Sequence, residues 1–330
     1  MYKGCDFGCK YCYANARKGN YSNKFDIANF DKISKMFKDV FEKEREYKNI
    51  EAQMIRHGVP LHLGGMSDPF QSRESRYKLA YKLVKLTNKY DYPMQISTKV
   101  SKLPKEYWAI LNPEIHAFQI SLMSLNREFV RKYEKDTPLP NNRVNFIREL
   151  KEKGFWVGLR LQPLICIEEA LELVSEIGTL VDYITVEHLK IPSDAPVIRK
   201  LFKFEKNKEK FYYPRLGKNY ELKKEIKKKN IEKLKRLVST PIGVGDNDLH
   251  YMSESRNCCG LDTINSNFSN YMKYNSTYFR TSEKEVDKSK IWYPTASCSK
   301  CFSSDTRKSY CKTVKDYTDD YIKNYLEGGD

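Results

Sequence analysis

Three cysteines near the start of the chain constrain its fold and chemistry more than any other feature. Cys5, Cys9 and Cys12 stand at the spacing C-x3-C-x2-C on a short loop that contains two glycines. This spacing lets three thiolates converge on one face of an iron–sulfur cluster, which usually has four cysteine ligands. Three ligands leave one iron without a protein donor, and a cofactor or substrate can bind there. We therefore predict an iron–sulfur centre with an open coordination position.

Two other interpretations of these cysteines compete with the cluster. A zinc knuckle needs a fourth Cys or His close by, and none occurs before His57. A disulfide with one spare thiol requires an oxidising compartment. The nine cysteines, without a secretory signal, instead indicate metal chemistry in a reducing compartment. We therefore expect a cytoplasmic protein.

The composition limits the partners of the chain. Its 330 residues are 40% hydrophobic, which is enough for a sizeable core. No apolar stretch is long enough to span a bilayer, so no membrane partner is expected. The 59 Lys and Arg against 43 Asp and Glu give a net charge of +16, which suits a polyanion such as nucleic acid. Because the lysines are spread widely among abundant Asn, Ile and Tyr, a compositional bias explains the charge equally well. A monomer is expected.

Short apolar runs alternate with amphipathic helical patterns over most of the chain. Strands are predicted at 59–63, 94–98, 116–122, 155–161, 182–187 and 241–245. A helix is predicted around Ile33 to Phe41, and Ser72 is predicted to cap the helix that carries Leu79, Leu83 and Leu86. The lysine-dense segment 203–236 is predicted to be mostly a solvated helix. Such alternation predicts a parallel sheet.

The cysteine loop also resembles a known family. The segment from Gly4 to Ala14 reads GCDFGCKYCYA. It is similar to the signature of the radical S-adenosylmethionine (SAM) superfamily, and within it to the spore photoproduct lyase-like branch. The resemblance implies a [4Fe–4S] cluster on the three cysteines and SAM on the fourth iron. It also implies reductive cleavage of SAM to a 5′-deoxyadenosyl radical that abstracts hydrogen from substrate, with a reductant such as flavodoxin or ferredoxin.

The fold that follows is α/β, a partial (β/α)6 TIM-like barrel with a small, irregular, cysteine-bearing C-terminal domain. The boundaries expected are 1–250 for the radical SAM barrel and 251–330 for the C-terminal metal-binding domain. Functional loops of parallel barrels follow the carboxyl ends of strands. A strand should therefore end just before Cys5, where only four residues precede it. The first strand is expected to be vestigial or missing upstream.

By the same resemblance, the SAM contacts lie at successive strand ends. The residues expected to bind SAM are Gly64, Gly65, Asp68, Ser97, Lys99, Ser121, Arg160 and Glu187. The family's Gly-Gly-Glu-like turn has Met66 in place of Glu here, and Asp68 could supply the carboxylate. Two simpler explanations stay open: the glycine pair only ends a strand, or Arg160 and Glu187 form a buried ion pair.

A second group of cysteines lies in the tail. It comprises Cys258, Cys259, Cys298, Cys301 and Cys311. Adjacent cysteines seldom ligate one ion, so one of the first two is expected to join the other three at a metal site. An auxiliary iron–sulfur cluster and a structural zinc are both compatible with thiolate ligands, and the cluster is favoured because the chain already indicates one. Buried, unligated thiols are the third interpretation, and Cys166 is expected to be such a core thiol.

The substrate predicted first is a nucleic acid or nucleotide, in a repair or modification reaction similar to that of photoproduct lyase. Two departures count against a true photoproduct lyase. That family uses a hydrogen-donor cysteine, and none occurs here between 12 and 166; the tail cysteines are not a feature of that family either. The alternatives are a radical SAM maturase of peptides or proteins and a non-catalytic, zinc-bearing nucleic-acid binder. No catalytic residue is assigned.

Overall fold

The computed structural model of the chain describes residues 2–12, 14, 26–43, 50–56, 58–193, 196–213, 219–246, 248–255 and 258–268. The strands are β1 (Tyr2–Lys3), β2 (Asp26–Ile27), β3 (Leu61–Leu63), β4 (Met94–Thr98), β5 (His116–Ser121), β6 (Val157–Leu164), β7 (Tyr183–His188), β8 (Ile191–Pro192), β9 (Phe211–Tyr212), β10 (Asn219–Leu222) and β11 (Ile242–Val244). The α-helices are α1 (Phe30–Phe41), α2 (Ile50–Arg56), α3 (Glu74–Tyr77), α4 (Leu79–Lys89), α5 (Lys105–Trp108), α6 (Arg127–Tyr133), α7 (Pro140–Glu152), α8 (Ile167–Ile177), α9 (Pro196–Leu201) and α10 (Lys224–Lys235). Short 3-10 helices lie at Gly178–Leu180, Phe204–Lys210, His250–Met252, Leu261–Thr263 and Ser266–Phe268.

Six parallel strands form the central sheet. Their order is β11-β7-β6-β5-β4-β3, and every neighbouring pair is parallel. The register places Ile96 opposite Phe118 and Ser121 opposite Arg160. In the described part of the chain β3 and β11 are the two edges, so the sheet curves without closing. The predicted parallel sheet and partial barrel are confirmed.

The two faces of the sheet differ in character. In β4 the apolar residues Met94 and Ile96 alternate with Gln95 and Ser97, and all four are buried. The apolar residues share one core with the buried sides of α4, α7 and α8. The polar residues therefore point to the opposite face, which is the barrel interior. None of the helices in the described ranges has the length and apolar character that a bilayer span requires.

A short strand does end just before Cys5, but it lies outside the parallel sheet. β1 pairs antiparallel with β2, with Tyr2 opposite Ile27. The buried Tyr2 hydroxyl donates a hydrogen bond to Glu74, and its carbonyl accepts from the Ser67 hydroxyl at 2.9 Å. The segment before the cysteines is thus attached through side chains to the loop that follows β3.

The predicted cap at Ser72 is wrong. Ser72 precedes the separate short helix α3, and its backbone N–H donates to Asp6 Oδ2 at 2.9 Å. Helix α4 is capped instead by the buried carboxylate of Glu74, which accepts from the N–H groups of Ala80 and Tyr81, both at 3.1 Å. The physical reason lies in Lys78, which has a left-handed backbone conformation between α3 and α4. It turns the chain so that Glu74 reaches the first free N–H groups of α4.

Within the described residues of the lysine-dense segment 203–236 the α-helix is α10, which lies in the second half, so this prediction is partly wrong. Its first half forms a 3-10 turn and the strands β9 and β10, and β10 pairs antiparallel with both β8 and β9. Aromatic packing explains the difference, because the ring of the buried Phe204 lies 4.4 Å from that of Tyr220. Within α10, Lys227 is fully buried and pairs with Asp248 at 2.6 Å.

The buried His116 predicts a loss of stability in acid. Its Nδ1 accepts from the Asn112 N–H at 2.9 Å and its Nε2 lies 3.0 Å from Thr87 Oγ1. Burial lowers its pKa from 6.5 to about 4. Because the unfolded state binds the proton more tightly, the free energy of unfolding should fall below pH 6.5, by up to about 3 kcal/mol from this group at pH 4. Urea unfolding of the metal-free protein across this range tests it. His116→Gln should decline less steeply with falling pH, and an unchanged slope would contradict the prediction.

Candidate active site

One cavity of about 640 Å³ lies at the carboxyl ends of the strands. Its lining includes all three loop cysteines and every residue expected to bind SAM: Cys5, Cys9, Cys12, Gly64, Gly65, Asp68, Ser97, Lys99, Ser121, Arg160 and Glu187. The parallel sheet explains why residues so far apart in the sequence meet, since the carboxyl ends of its strands share one edge. The structure therefore brings the cysteine loop and the candidate cofactor contacts to one place.

The cysteine loop is tightly folded. The Cys12 N–H donates to the Cys9 carbonyl at 3.1 Å. Among the described residues, no three Cys, His, Asp or Glu side chains converge around a single metal ion. In a cubane cluster each thiolate binds a different iron, so its ligands lie further apart than those of one zinc ion. The donor set at this loop, three thiols that line one cavity, fits a cluster with one open iron.

Hydrogen bonds hold the cysteine loop on two sides. On one side the Lys10 N–H donates to the Tyr133 carbonyl at 2.9 Å, next to a backbone bridge between Cys9 and Glu134. On the other side the Asp6 carboxylate accepts from the N–H and the hydroxyl of Ser72. The loop is therefore attached both to the end of α6 and to the segment before α3.

Gly64 begins the turn after β3 and has no room for a side chain. Its φ is +104°, and a Cβ there would lie 2.0 Å from the Ser97 carbonyl oxygen. Such a contact cannot be relieved by a side-chain rotation, because the neighbouring atom is backbone. The close approach of β3 and β4 thus requires glycine at this position. Both Gly64 and Gly65 also line the cavity.

Asp68 holds this turn against β4. Its carboxylate accepts from the Phe70 N–H and the Thr98 hydroxyl, each at 2.9 Å, and from the Lys99 N–H at 2.7 Å. Burial raises the pKa of Asp68 to about 6, although these donors favour the charged form. These hydrogen bonds fix the loop that follows β3 against the end of β4.

A polar network fills the barrel interior next to the cavity. Gln119 is fully buried at its centre. The amide oxygen of Gln119 accepts from Ser97 Oγ and from Arg160 Nη1, both at 3.1 Å. Its amide nitrogen donates to Thr185 Oγ1 at 3.2 Å. The sequence analysis missed Gln119, although a polar residue inside an apolar strand is a usable signal.

Glu187 is the residue before the last of β7 and lines the cavity. It pairs with Lys190 at 2.7 Å. The alternative buried pair between Glu187 and Arg160 is not found among the ion pairs of the described residues, since Arg160 donates to Gln119 instead. His188 beside it is buried and pairs with Asp246 at 2.7 Å. Arg160 and Glu187 therefore line the cavity from separate strands.

Lys99 has a buried acidic partner that the sequence analysis did not predict. Lys99 Nζ lies 3.0 Å from Glu134, and Arg143 Nη2 lies 2.7 Å from the same carboxylate. Burial opposes ionisation of Glu134, but the two cations outweigh it and lower its pKa to about 2. The Tyr11 hydroxyl donates to Glu134 as well. No pattern in the sequence pairs these residues, because they come from four separate segments.

Burial differs among the loop thiols, since Cys9 is buried while Cys5 and Cys12 are partly buried. Burial raises the pKa of the Cys9 thiol to about 12, with the Lys99 ammonium acting in the opposite direction. Burial also raises the pKa of Cys5. A thiol must lose its proton to ligate a metal, so iron binding here releases protons. The positive charge of Lys99 favours the thiolate form that a cluster requires.

Of the tail cysteines, only the adjacent pair lies in the described residues. Cys258 and Cys259 have their Sγ atoms 3.7 Å apart, and the Cys259 carbonyl accepts from the side chains of Gln95 and Gln119 at 3.4 and 3.3 Å. This segment therefore packs against the barrel interior. Cys298, Cys301 and Cys311 lie outside the described residues, as does most of the predicted 251–330 domain. The prediction that Cys166 is a core thiol is wrong: it lies directly before α8, is only partly buried, does not line the cavity, and its thiol lies 3.2 Å from Glu168.

Comparison with known protein families identifies the chain. A family model described as the Radical SAM superfamily matches residues 1–174. The match covers more than half of the chain and includes the cysteine loop, the turn at Gly64 and strands β3 to β6. The chain belongs to the radical SAM superfamily. Radical SAM membership implies a [4Fe–4S] cluster and SAM, and it confirms the resemblance seen in the cysteine loop.

Structure comparison finds solved proteins that are similar to this radical SAM chain. A spore photoproduct lyase variant with one Cys-to-Ala change matches with a TM-score of 0.55 and 16% identity, over 72% of this chain and 71% of that one. A double variant of the same enzyme, with bound AdoMet and dinucleoside spore photoproduct, matches with a TM-score of 0.55 and 17% identity over the same shares. Streptococcus suis SuiB bound to the precursor peptide SuiA matches with a TM-score of 0.43 and 15% identity, over 63% of this chain and 45% of that one. Comparison with curated proteins found no match.

A glycine substitution tests the close approach of the strands beside the site. Gly64→Ala should destabilise the protein by about 2–5 kcal/mol, because it combines an unfavourable φ with a clash against backbone. Gly154→Ala is the matched control. Gly154 also has a positive φ, of +82°, but nothing lies within 4 Å of an added Cβ. Urea unfolding should show a clearly larger loss for Gly64→Ala, and equal losses would argue against the clash.

Proposed function

We propose that this chain is a radical SAM enzyme that abstracts hydrogen from a nucleic-acid or nucleotide substrate. The observation that carries the proposal is the single cavity that the three cysteines share with all eight residues expected to bind SAM. When bound, the cluster and SAM supply a 5′-deoxyadenosyl radical for hydrogen abstraction. The chain's own residues bind and orient these groups and exclude water from them.

The chemistry of each cavity residue indicates which part of the cofactors it would bind. We assign the cluster to Cys5, Cys9 and Cys12. The backbone carbonyls of Gly64 and Gly65 suit the amino group of SAM, while Arg160 suits its carboxylate. Asp68 supports the glycine turn through its three donors, and its oxygens keep acceptor capacity for one further donor.

Hydroxyl and carboxylate groups at the remaining strand ends can form hydrogen bonds with the ribose of SAM. Ser97 and Ser121 lie on the adjacent strands β4 and β5, Glu187 lies on β7, and all three line the cavity. We assign these three residues to the ribose or adenine of SAM, because hydroxyl groups of a sugar need both donors and acceptors. Lys99 faces Glu134 and Cys9, so we assign it to the cluster side of the cavity.

The net charge of +16 and the photoproduct lyase-like loop favour a nucleic-acid substrate. A peptide or protein substrate is the second candidate. It is favoured by the tail cysteines, since auxiliary clusters are common in radical SAM maturases. We propose that Cys258 or Cys259, with Cys298, Cys301 and Cys311, holds such a cluster or a zinc ion. We also propose that a flavodoxin or a ferredoxin is the reductant and that the protein is a monomer.

Cofactor content tests the enzyme assignment. Anaerobically prepared protein should be brown and contain iron and sulfide, and with SAM and dithionite it should release 5′-deoxyadenosine. The Cys5/Cys9/Cys12→Ala variant should lose this activity and the iron of one [4Fe–4S] cluster, because no other described residues replace three thiolates. Cys166→Ala is the matched control and should keep both. A colourless zinc protein that leaves SAM intact would instead support the non-catalytic nucleic-acid binder.

The salt dependence of binding separates the two substrate classes. Fluorescence anisotropy with single-stranded and double-stranded DNA should show an affinity that falls steeply as salt rises, because bound phosphates release counterions. A neutral peptide of similar mass serves as the control ligand. Weak DNA binding with a flat salt dependence would contradict the nucleic-acid substrate and favour the peptide class.

A further inference from the structure

We propose that Lys99, Glu134 and Arg143 form a charge node that positions the cysteine loop and sets the reduction potential of its cluster. The inference rests on the proposed binding of a cluster by Cys5, Cys9 and Cys12. It adds to that assignment two residues, Glu134 and Arg143, that lie outside the cavity lining.

Glu134 is the centre of the charge node. It follows the last residue of α6 and is fully buried. Its carboxylate binds Lys99 Nζ at 3.0 Å, Arg143 Nη2 at 2.7 Å and the Thr137 hydroxyl at 3.2 Å, and it also accepts from the Tyr11 hydroxyl. Four donors therefore surround one carboxylate, which satisfies its oxygens and holds it in place.

The node is connected directly to the cysteine loop. Three consecutive loop residues contact the end of α6: Cys9 by its backbone bridge to Glu134, Lys10 by its N–H to the Tyr133 carbonyl, and Tyr11 by its hydroxyl. The Lys99 ammonium also lies 5.7 Å from the centre of the Tyr11 ring. The stretch between the middle and the last cysteine of the motif is thus held by the end of α6, about 120 residues away in the sequence, and Tyr11 binds the Glu134 carboxylate itself.

Arg143 holds Glu134 in place within the charge node. It is fully buried, and its guanidinium donates to the Ser121 carbonyl at 2.8 Å and to the Pro138 carbonyl at 3.0 Å, besides Glu134. Apart from Glu134 these partners are uncharged. The positive charge of Arg143 is therefore balanced only by a carboxylate that it shares with Lys99.

The charge node carries a net charge of +1, because it combines two cations with one anion. Lys99 is only 16% exposed and lines the cavity beside Cys9, so water screens its charge weakly. Reduction adds negative charge to a cluster. A positive charge behind the loop therefore stabilises the reduced state, and Glu134 limits that effect.

Substitutions that raise or lower the net charge of the node test this role. Glu134→Gln keeps the shape and raises the node charge to +2, so the cluster should become easier to reduce. Lys99→Met lowers the node charge to zero, so the cluster should become harder to reduce. Each shift should be about tenfold in the reduction equilibrium, which is about 59 mV for a one-electron couple. The double variant restores +1 and should return close to the wild-type potential.

The measurement is an EPR-monitored redox titration of the cluster in the absence of SAM. Lys151→Met is the matched control. It removes the same charge from α7, where Lys151 pairs with Asp182 at 2.7 Å outside the cavity lining, and it should leave the potential unchanged. Tyr11→Phe removes only the hydroxyl contact and should lower cluster occupancy without a comparable shift in potential.

Opposite shifts in the two single variants are the decisive result, because a purely structural role would move both in the same direction. Shifts of the same sign, or none, would overturn the inference. If Glu134→Gln does not retain iron, Lys99→Met is compared with Lys99→Arg, which keeps the charge: the potential should fall in Lys99→Met and stay near the wild-type value in Lys99→Arg, and equal falls would overturn the inference. Failure of the proposed function is separately visible: the wild-type protein would then show no cluster signal, or the Cys5/Cys9/Cys12→Ala variant would keep it.

Discussion

The attachment of a short cysteine loop to the carboxyl edge of a parallel sheet is the constraint on which this structure depends. The loop has little secondary structure of its own, so side chains from distant segments hold it. Asp6 binds the segment before α3, and Glu134 binds the loop from the end of α6. Without both attachments the three thiolates would not face the strand ends. The folded barrel therefore supplies the geometry that a cluster with an open iron requires.

Polar contacts extend this arrangement through the barrel interior. Gln119 links Arg160, at the cavity, to Thr185 and to the Cys259 carbonyl. The segment that contains the adjacent cysteines thus packs against the barrel interior. Because buried polar groups need partners, these contacts also determine the side-chain positions at the cavity wall. The tail and the active site are therefore parts of one network.

Local patterns predicted the strands well and the caps poorly. The apolar runs and glycine turns located all six strands of the central sheet, since buried parallel strands have a strong compositional signal. The cap of α4 was misplaced at Ser72, because Glu74 reaches the helix through a left-handed turn. The lysines of the segment 203–236 predict mostly helix and conceal the aromatic cluster around Phe204.

The sequence by itself determined the superfamily and the cofactor chemistry, because the cysteine spacing and the strand-end polar residues are local features. The cavity then gathered those residues, as parallel topology requires. Only the tertiary structure decided which groups support them. Glu134 and Arg143 meet Lys99 across separate elements, and Gln119 became the centre of the interior network. Charge pairing over such separations leaves no periodic trace in a single sequence, so it becomes visible only when the chain is folded.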